Sequence, residues 1–514
     1  MLQDPLSRWL RGGLVVGYRA PLMKFHSLRR LASRWRSLGP KRKRWIAGFI
    51  FLSHVVGALT SVQAVMAVRT SQGAIAWAIS LNTFPYVAVP AYWVFGRSEF
   101  KGDMPRMRSD LDLVRGGNQA YVDKLVEREI LAVPDRGDAT LGEKLAKLPM
   151  TRGNAVDLLI NGDAIFESIF AGMDRARDYI LFQFYIIKDD ELGRKMRDRL
   201  IARAKAGIRC YVLYDEIGSS SLPKRYLEEL RTGGVQAVAF NSTKGASNRF
   251  QINFRNHRKV LVVDGREAWV GGVNVADEYL GKDPKMTPWR DTQLRLEGPV
   301  VSCVQVSFTE DWHWASGDFL TLNWEAPPAA SGESLRVLCL PSGPADPSET
   351  CTLYFIDLIN RAKKRLWIAS PYFVPDEQFI TALKLAALRG VDVKILIPDR
   401  TDSKIVQFTG WSYLEELEQA GIEMWRHLPG FMHQKVVLMD DTSVIGTANF
   451  DNRSFRLNFE VTIAIESPEF TKKAETMLTA DFAQARLSKA RELTDRSFWF
   501  RFATRVCRLM SPVQ

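Results

Sequence analysis

Residues 46–68 contain no Asp, Glu, Lys or Arg, and after a short connection, 69–73, a second uncharged run covers 74–95. A bilayer core is crossed by about 20 apolar residues in a helix, so the pair predicts a transmembrane hairpin. Asn82, Pro85 and Pro90 interrupt the second run and leave a re-entrant course open for it. A buried helical hairpin or a cleaved signal peptide are the alternatives, and the late, doubled apolar region fits the second poorly. His54, inside the first run, fits a polar contact between helices. Residues 96–151 are charged and only partly patterned, as in a helical connector. Farther on, short apolar runs alternate with charged helical stretches. The run 179–187, a helix ending at Ala206-Gly207 and a strand 208–214 reappear in order as 366–374, a helix ending at Arg389-Gly390 and a strand 391–397. That is the pattern of an α/β unit duplicated in tandem. Residues 316–348 join the copies, with a Pro-, Ala- and Gly-bearing linker at 327–332. At the end, 497–510 interleaves Phe498, Trp499, Phe502, Val506 and Leu509 with Arg501, Arg505 and Arg508, which suits an interfacial amphipathic helix or a helix packed on the domain.

The predicted order is a basic membrane-surface segment (1–44), two transmembrane helices (45–96), a connector (97–151), two α/β repeats (152–325 and 326–485) and a C-terminal amphipathic helix (486–514). Charge sharpens this picture. The net charge of +12 is concentrated in residues 1–44, which hold twelve Lys or Arg and one acid, Asp4, so the remainder is nearly neutral. Such a distribution argues for a basic segment on anionic lipid and against a broad nucleic-acid groove. Basic residues flank both outer ends of the hairpin (Lys41 to Arg44; Arg97, Lys101, Arg106 and Arg108), whereas the connection has Arg69 alone, which predicts both outer ends on the cytoplasmic side. Five cysteines without a C-x-x-C fit a reducing compartment.

The chemistry is also written twice. His257-Arg258-Lys259 with Asp264, and His433-Gln434-Lys435 with Asp440, both read H-x-K-x-x-x-x-D. Each continues into a glycine-bearing turn and an asparagine, Gly271-Gly272-Val273-Asn274 and Gly446-Thr447-Ala448-Asn449, and then into a strand carrying a carboxylate, Asp291 or Glu460. One such motif is a weak signal; two at corresponding places are not accidental. Exchange at a phosphodiester needs a nucleophile, an acid for the leaving oxygen and positive charge around the non-bridging oxygens. A neutral histidine can attack phosphorus to form a phosphohistidine while a protonated one serves the departing alkoxide. Lys259, Lys435, Asn274 and Asn449 would hold the oxygens. Asp291 and Glu460 are candidates for fixing an imidazole tautomer, or else surface strand carboxylates. Asp264 and Asp440 follow apolar strands and precede turns, so they either touch substrate or fix those turns. His26, His313 and His427 have no lysine two residues on and are read as structural.

These motifs, with Phe254-Arg255-Asn256-His257, Pro288-Trp289-Arg290-Asp291, Pro371-Tyr372-Phe373-Val374-Pro375 and Arg453-Ser454-Phe455-Arg456-Leu457-Asn458-Phe459-Glu460, resemble the phospholipase D superfamily and, within it, the bacterial cardiolipin synthases. The resemblance runs from about residue 46 to the C-terminus. It implies two phospholipase D-like α/β repeats packed as a pseudo-two-fold pair behind the hairpin. It also implies transfer of a phosphatidyl group from one phosphatidylglycerol to another with release of glycerol, without ATP, metal or other cofactor. His257 is then the nucleophile and His433 the acid and later the base. The implied partners are phosphatidylglycerol and other anionic phospholipids in the bacterial inner membrane, with the catalytic region facing the cytoplasm and no nucleic acid. Hydrolysis by the same site, as a membrane phospholipase D, is the second reading, and a non-catalytic lipid-binding scaffold the third. Phosphatidylglycerol and phosphatidylethanolamine are not distinguished as acceptors.

Overall fold

The computed structural model describes residues 39–96, 100, 140–240, 243, 253–325 and 327–514, in two compact units, Met1–Tyr92 and Trp93–Gln514. The basic segment up to residue 38 and nearly all of the connector lie outside the described residues. In the first unit a 28-residue helix, Pro40–Ala67, starts with proline at its first turn, where a missing N–H costs nothing. At 1.5 Å per residue it is about 42 Å long, enough to cross a bilayer core of about 30 Å. Among the described residues it alone is long and apolar enough to do so. Trp45, Phe51, Leu59, Val62 and Met66 stand exposed along it. The next helix, Ser71–Thr83, is capped by Thr70, whose hydroxyl accepts from the Gly73 amide at 3.1 Å. It approaches the first so closely that a Cβ on Gly57 would lie 2.2 Å from the Leu81 carbonyl oxygen. His54 Nδ1 pairs with its own helix at the Ile50 carbonyl (2.9 Å), and the ring meets Tyr86 edge-on.

The second apolar run departs from a single predicted span. It forms two helices, Ser71–Thr83 and Pro85–Phe95, separated at Phe84. Proline disfavours helical geometry in the residue before it and supplies no amide to the preceding turn, so the break falls where the chain meets Pro85.

The second unit is built on one large sheet. Its first-half strands are β1 (Thr151–Ile160), β2 (Tyr179–Phe184), β3 (Arg209–Asp215), β4 (Gln236–Phe240), β5 (Arg255–Asn256), β6 (Val260–Val263), β7 (Glu267–Gly271), β8 (Trp289–Arg290) and β9 (Thr292–Glu297). The second-half strands are β10 (Leu335–Ser342), β11 (Arg365–Ala369), β12 (Phe373–Val374), β13 (Asp392–Pro398), β14 (Glu423–His427), β15 (Phe431–Met432), β16 (Val436–Met439), β17 (Thr442–Gly446), β18 (Phe450–Asp451), β19 (Asn458–Glu466) and β20 (Ala485–Ser488). Outward from an antiparallel junction between β1 and β10, the order is β9-β7-β6-β2-β3-β4 on one side and β19-β17-β16-β11-β13-β14-β20 on the other. The inner strands are antiparallel, and β2-β3-β4 and β11-β13-β14 are parallel. This sheet is covered on both faces, which is why β6 reads as an unbroken apolar run and β2 as one broken only by Gln183, and both are buried throughout.

Helices Val300–Ser316 and Pro468–Ala483 cover the centre. A core there takes Leu294, Val304 and Phe308 from the first half and Phe459, Ile463 and Met477 from the second. Apolar packing therefore fixes the two halves against each other and sets the edge where β2 and β11 end and β6 and β16 begin. Both H-x-K motifs lie at that edge.

Candidate active site

His257 follows β5, which pairs in parallel with the start of β19, and its amide donates to the Phe459 carbonyl at 2.9 Å. His433 follows β15, which pairs in parallel with β8, and its amide donates to the Arg290 carbonyl at 2.7 Å. Each histidine is thus held on a strand of the opposite half. The imidazoles repeat the exchange. His257 Nδ1 lies 3.0 Å from both carboxylate oxygens of Glu460, and His433 Nδ1 lies 2.8 Å from Asp291 Oδ2. With Nδ1–H donated to a carboxylate, each ring keeps Nε2 for chemistry.

The two carboxylates are steadied differently. Glu460 accepts from the Thr447 hydroxyl (2.6 Å) and from Asn458 Nδ2 (3.2 Å). Asp291 accepts the Thr292 amide at 2.8 Å and lies so near Gly272 that a Cβ there would meet its Oδ1 at 1.9 Å. Gly272 and Thr447 occupy the same place in the two motifs. The shorter carboxylate is matched by the missing side chain, and the longer one by a hydroxyl.

Lys259 is wholly buried, and its ammonium donates to the His257 carbonyl at 2.7 Å. Lys435 donates to the His433 carbonyl, and its Nζ also lies 3.0 and 3.1 Å from the two ring nitrogens of His433. Asn274 accepts the Ile186 amide at 3.1 Å and donates to the Tyr279 hydroxyl, which leaves one amide proton for a ligand. The Asn449 carboxamide oxygen is buried without a hydrogen-bond partner. A half-turn of that group presents its NH2 instead, as an anion would require. Tyr185 packs edge-on against His257, and Tyr279, Trp289 and Phe431 surround His433.

Asp264 and Asp440 stand apart from this group, at the far ends of β6 and β16. Asp264 accepts the amides of Arg177, Asp178 and Tyr179 at 2.7–2.8 Å, and Asp440 accepts those of Lys363, Lys364 and Arg365 at 2.9–3.1 Å. Both have positive φ, 54° and 47°. Of the two roles open to them, the geometry gives turn fixing, and their place among the catalytic candidates is corrected: both oxygens of each are engaged by main chain, a strand's length from the histidines.

Several residues beneath the site carry no chemical signature of their own in the sequence. Asp311, on the helix Val300–Ser316, accepts from Gln183 (2.6 Å) and Asn256 (2.7 Å) and pairs with Arg258 (2.8 Å). Arg258 also donates to the Glu460 carbonyl at 3.0 Å. Asp481, on the helix Pro468–Ala483, accepts from Arg290 (2.8 and 2.9 Å) and from Gln434 (2.7 Å). The variable residue of each H-x-K motif is therefore tied to a buried aspartate. The recurrence of Asp311 and Asp481 in corresponding helices was the available signal.

Burial drives both imidazoles down, to about 4; a nearby ammonium adds to this, and the partner carboxylate offsets only part. Burial also lowers both lysines, Lys435 to about 8. For Glu460 burial acts upward, but His257 and Lys259 outweigh it and bring the carboxyl to about 2; His433 and Lys435 likewise lower Asp291. Without substrate, the site holds neutral histidines between ionised carboxylates and two easily deprotonated ammonium groups. Among the described residues, no group of three or more His, Cys, Asp or Glu is placed to hold a metal ion.

The phospholipase D-like domain of cardiolipin synthases matches residues 169–312 and 355–482, one segment around each H-x-K motif. Cardiolipin synthase A of Pseudomonas fluorescens SBW25 is 46% identical over 472 residues, 91% of this chain and 98% of that protein. Cardiolipin synthase A of Pseudomonas putida GB-1 is 46% identical over 466 residues, 90% of this chain and 97% of that protein. A solved phosphatidylserine synthase of Haemophilus influenzae Rd KW20 has the same fold, with a TM-score of 0.54 at 15% identity over 70% of this chain and 95% of its own. Fold and paired motifs define a phospholipase D-like protein. The chain belongs to the cardiolipin synthase family.

Three outcomes follow from the geometry. Asp264→Ala and Asp440→Ala each strip three turn hydrogen bonds, partly open to solvent, and should cost about 1–3 kcal/mol in denaturant melts, with kcat of the surviving folded protein within a few-fold of wild type. Gly272→Ala displaces Asp291 from His433 and should lower kcat by about a hundredfold with KM nearly unchanged, approaching Asp291→Asn; full activity would separate Asp291 from catalysis. The third outcome concerns pH. The folded histidine values lie near 4 against about 6.5 unfolded, so on acidification the unfolded chain binds protons first. Stability should fall between pH 6.5 and 4, by at most about 1.4 kcal/mol per pH unit per histidine, and the slope should be shallower in His257→Asn.

Proposed function

We propose that this protein is a cardiolipin synthase that transfers a phosphatidyl group from one phosphatidylglycerol to the headgroup hydroxyl of another, releasing glycerol. The observation that carries this reading is the crossed pairing of His257 with Glu460 and of His433 with Asp291, in a chain of this family. His257 Nε2 attacks phosphorus as the P–O bond to glycerol breaks, and His433 gives the departing oxygen its proton. The bond now joins phosphorus to His257. His433 then takes the proton of the second headgroup hydroxyl, whose oxygen displaces His257 and closes the new diester. One ester bond replaces another, so no nucleotide is consumed.

Lys259, Lys435, Asn274 and Asn449 gather around the non-bridging oxygens as charge builds there. An anion at that point also raises the histidines toward protonation, so substrate supplies the condition for its own acid catalyst. In the architecture that fits this chemistry, two tandem repeats are related by a pseudo-two-fold axis and each lends the other its carboxylate. Helix Pro40–Ala67 and the broken second run form the anchoring hairpin, with the catalytic unit on the cytoplasmic face of the bacterial inner membrane.

Labelled phosphatidylglycerol tests the reaction: cardiolipin and free glycerol are expected, and phosphatidic acid as sole product would make the protein a hydrolase. An activated substrate with a nitrophenol-like leaving group tests the roles. His433→Ala should release nitrophenol once and accumulate phosphatidyl-enzyme, because that group leaves unprotonated, while His257→Ala should release none. An adduct found on His433 by denaturing mass spectrometry would reverse the assignment.

A further inference from the structure

The C-terminal segment is docked beside the site, and its apolar face is turned away from the protein. Helix Phe498–Arg508 starts at Ser497, whose hydroxyl accepts the Phe500 amide at 3.3 Å. Its inner face is held on helices Lys404–Trp411 and Leu414–Gln419. Phe500 packs against Phe408 and Trp411, Thr504 is fully buried, and Arg508 stacks on Tyr413 and pairs with Glu416 at 2.7 Å. Beyond it, the last residues close on the helix Asn452–Arg456: the Arg453 amide donates to the Gln514 carbonyl (2.9 Å) and Asn452 Nδ2 to the Ser511 carbonyl (3.0 Å).

Two of the helices that the segment touches border the paired histidines. Helix Lys404–Trp411 follows Asp402, whose carboxylate accepts the hydroxyl of Tyr372 and acts electrostatically on Lys435, and helix Asn452–Arg456 follows Asn449. Arg453 acts electrostatically on Tyr185, which packs on His257. Residues 498–514 thus span two sides of the site's rim.

The outer face is unlike a solvated helix. Phe498, Trp499, Phe502, Val506, Leu509 and Met510 are all exposed, Trp499 at 73% and Leu509 at 80%, with Ile405 of the supporting helix also exposed. Phe498 and Phe502 stack, and Trp499 meets Phe502 edge-on, so the aromatics form one continuous patch. Arg501 and Arg505 flank it, both exposed. A patch of this kind marks a contact surface. Its aromatic and arginine composition is that of a helix lying at the boundary between headgroups and acyl chains, and its charge complements anionic phospholipid.

We infer that helix Phe498–Arg508 is an interfacial docking element that seats the rim of the active site on an anionic phospholipid surface. This rests on the proposed lipid chemistry and adds to it how the headgroup of a bilayer lipid reaches buried histidines without the whole lipid leaving the membrane. An anchored chain raises the effective concentration of the patch at the surface, so a short helix with modest affinity suffices.

The test uses the full chain in proteoliposomes of phosphatidylcholine with or without added phosphatidic acid. With Cys507→Ser removing the one cysteine that is not buried, Phe502→Cys carries an environment-sensitive fluorophore. Emission should shift to the blue and rise when phosphatidic acid is present, and brominated acyl chains should quench it. A probe that stays in water under all compositions overturns the inference, whatever the enzyme makes. A blue shift in lipid-free detergent that grows with protein concentration would instead assign the patch to a second copy of the chain.

The activity arm separates docking from chemistry. Trp499→Ser with Phe502→Ser should lose about tenfold or more in rate on bilayer phosphatidylglycerol while keeping wild-type rate on a short-chain, monomeric nitrophenyl phosphodiester. Equal rates on bilayers would overturn docking. A correct probe response with no cardiolipin formed would leave docking standing and refute the proposed reaction.

Discussion

The imidazole of each H-x-K motif is held by a carboxylate from the other half of the chain, and most of the second unit's design follows from that crossing. Glu460 and His257 are 203 residues apart, and Asp291 and His433 are 142 apart. A shift of one half against the other by about an ångström would disturb both contacts together. The sheet is accordingly continuous through the junction, and the core between helices Val300–Ser316 and Pro468–Ala483 is shared. Arg258 extends the same logic. Its guanidinium spans Asp311 of its own half and the backbone of Glu460 and Ser342 in the other, so the residue between the histidine and lysine of the motif fixes the partner's carboxylate in place.

The crossing also balances a cost. Two ammonium groups and two carboxylates are buried within one site, and isolated buried charges are expensive. Glu460 and Asp291 offset Lys259 and Lys435, which leaves the imidazoles free to be neutral. In the proposed reaction a phosphodiester brings a negative charge into a place already furnished with donors. Binding strength and the protonation of the acid catalyst thus draw on the same groups.

Much of this was legible in the sequence because it was written twice. The duplicated H-x-K-x-x-x-x-D motifs marked the histidines and lysines, and the runs around them marked two α/β halves, whose strands run outward from β1 and β10 in corresponding order except that β20 has no counterpart. What sequence could not carry is contact across the repeat: nothing local to Glu460 distinguishes a partner for His257 from one for His433. Asp264 and Asp440 show the reverse difficulty. Their place in the motif looked chemical, but a residue that closes a turn at positive φ while accepting three amides must also recur in every copy. Pro85 was visible, yet whether a proline bends a span or divides it depends on the residue before it, here Phe84, and on the packing around that point.

The halves are alike but not equal, and the inequality bears on how, in the proposed reaction, one histidine comes to donate a proton. Lys435 leans over the His433 ring, within 3.1 Å of both nitrogens, whereas Lys259 bonds to the His257 carbonyl. An ammonium in that position opposes protonation of His433 for as long as it stays there. A phosphodiester oxygen is a stronger partner than a neutral ring, so the proposed substrate would draw Lys435 away and at the same time set a negative charge beside the imidazole. Both changes push His433 in one direction, toward holding a proton. In the proposed reaction the acid is therefore charged by the arrival of the group it must protonate, and the empty site is kept from carrying a buried imidazolium.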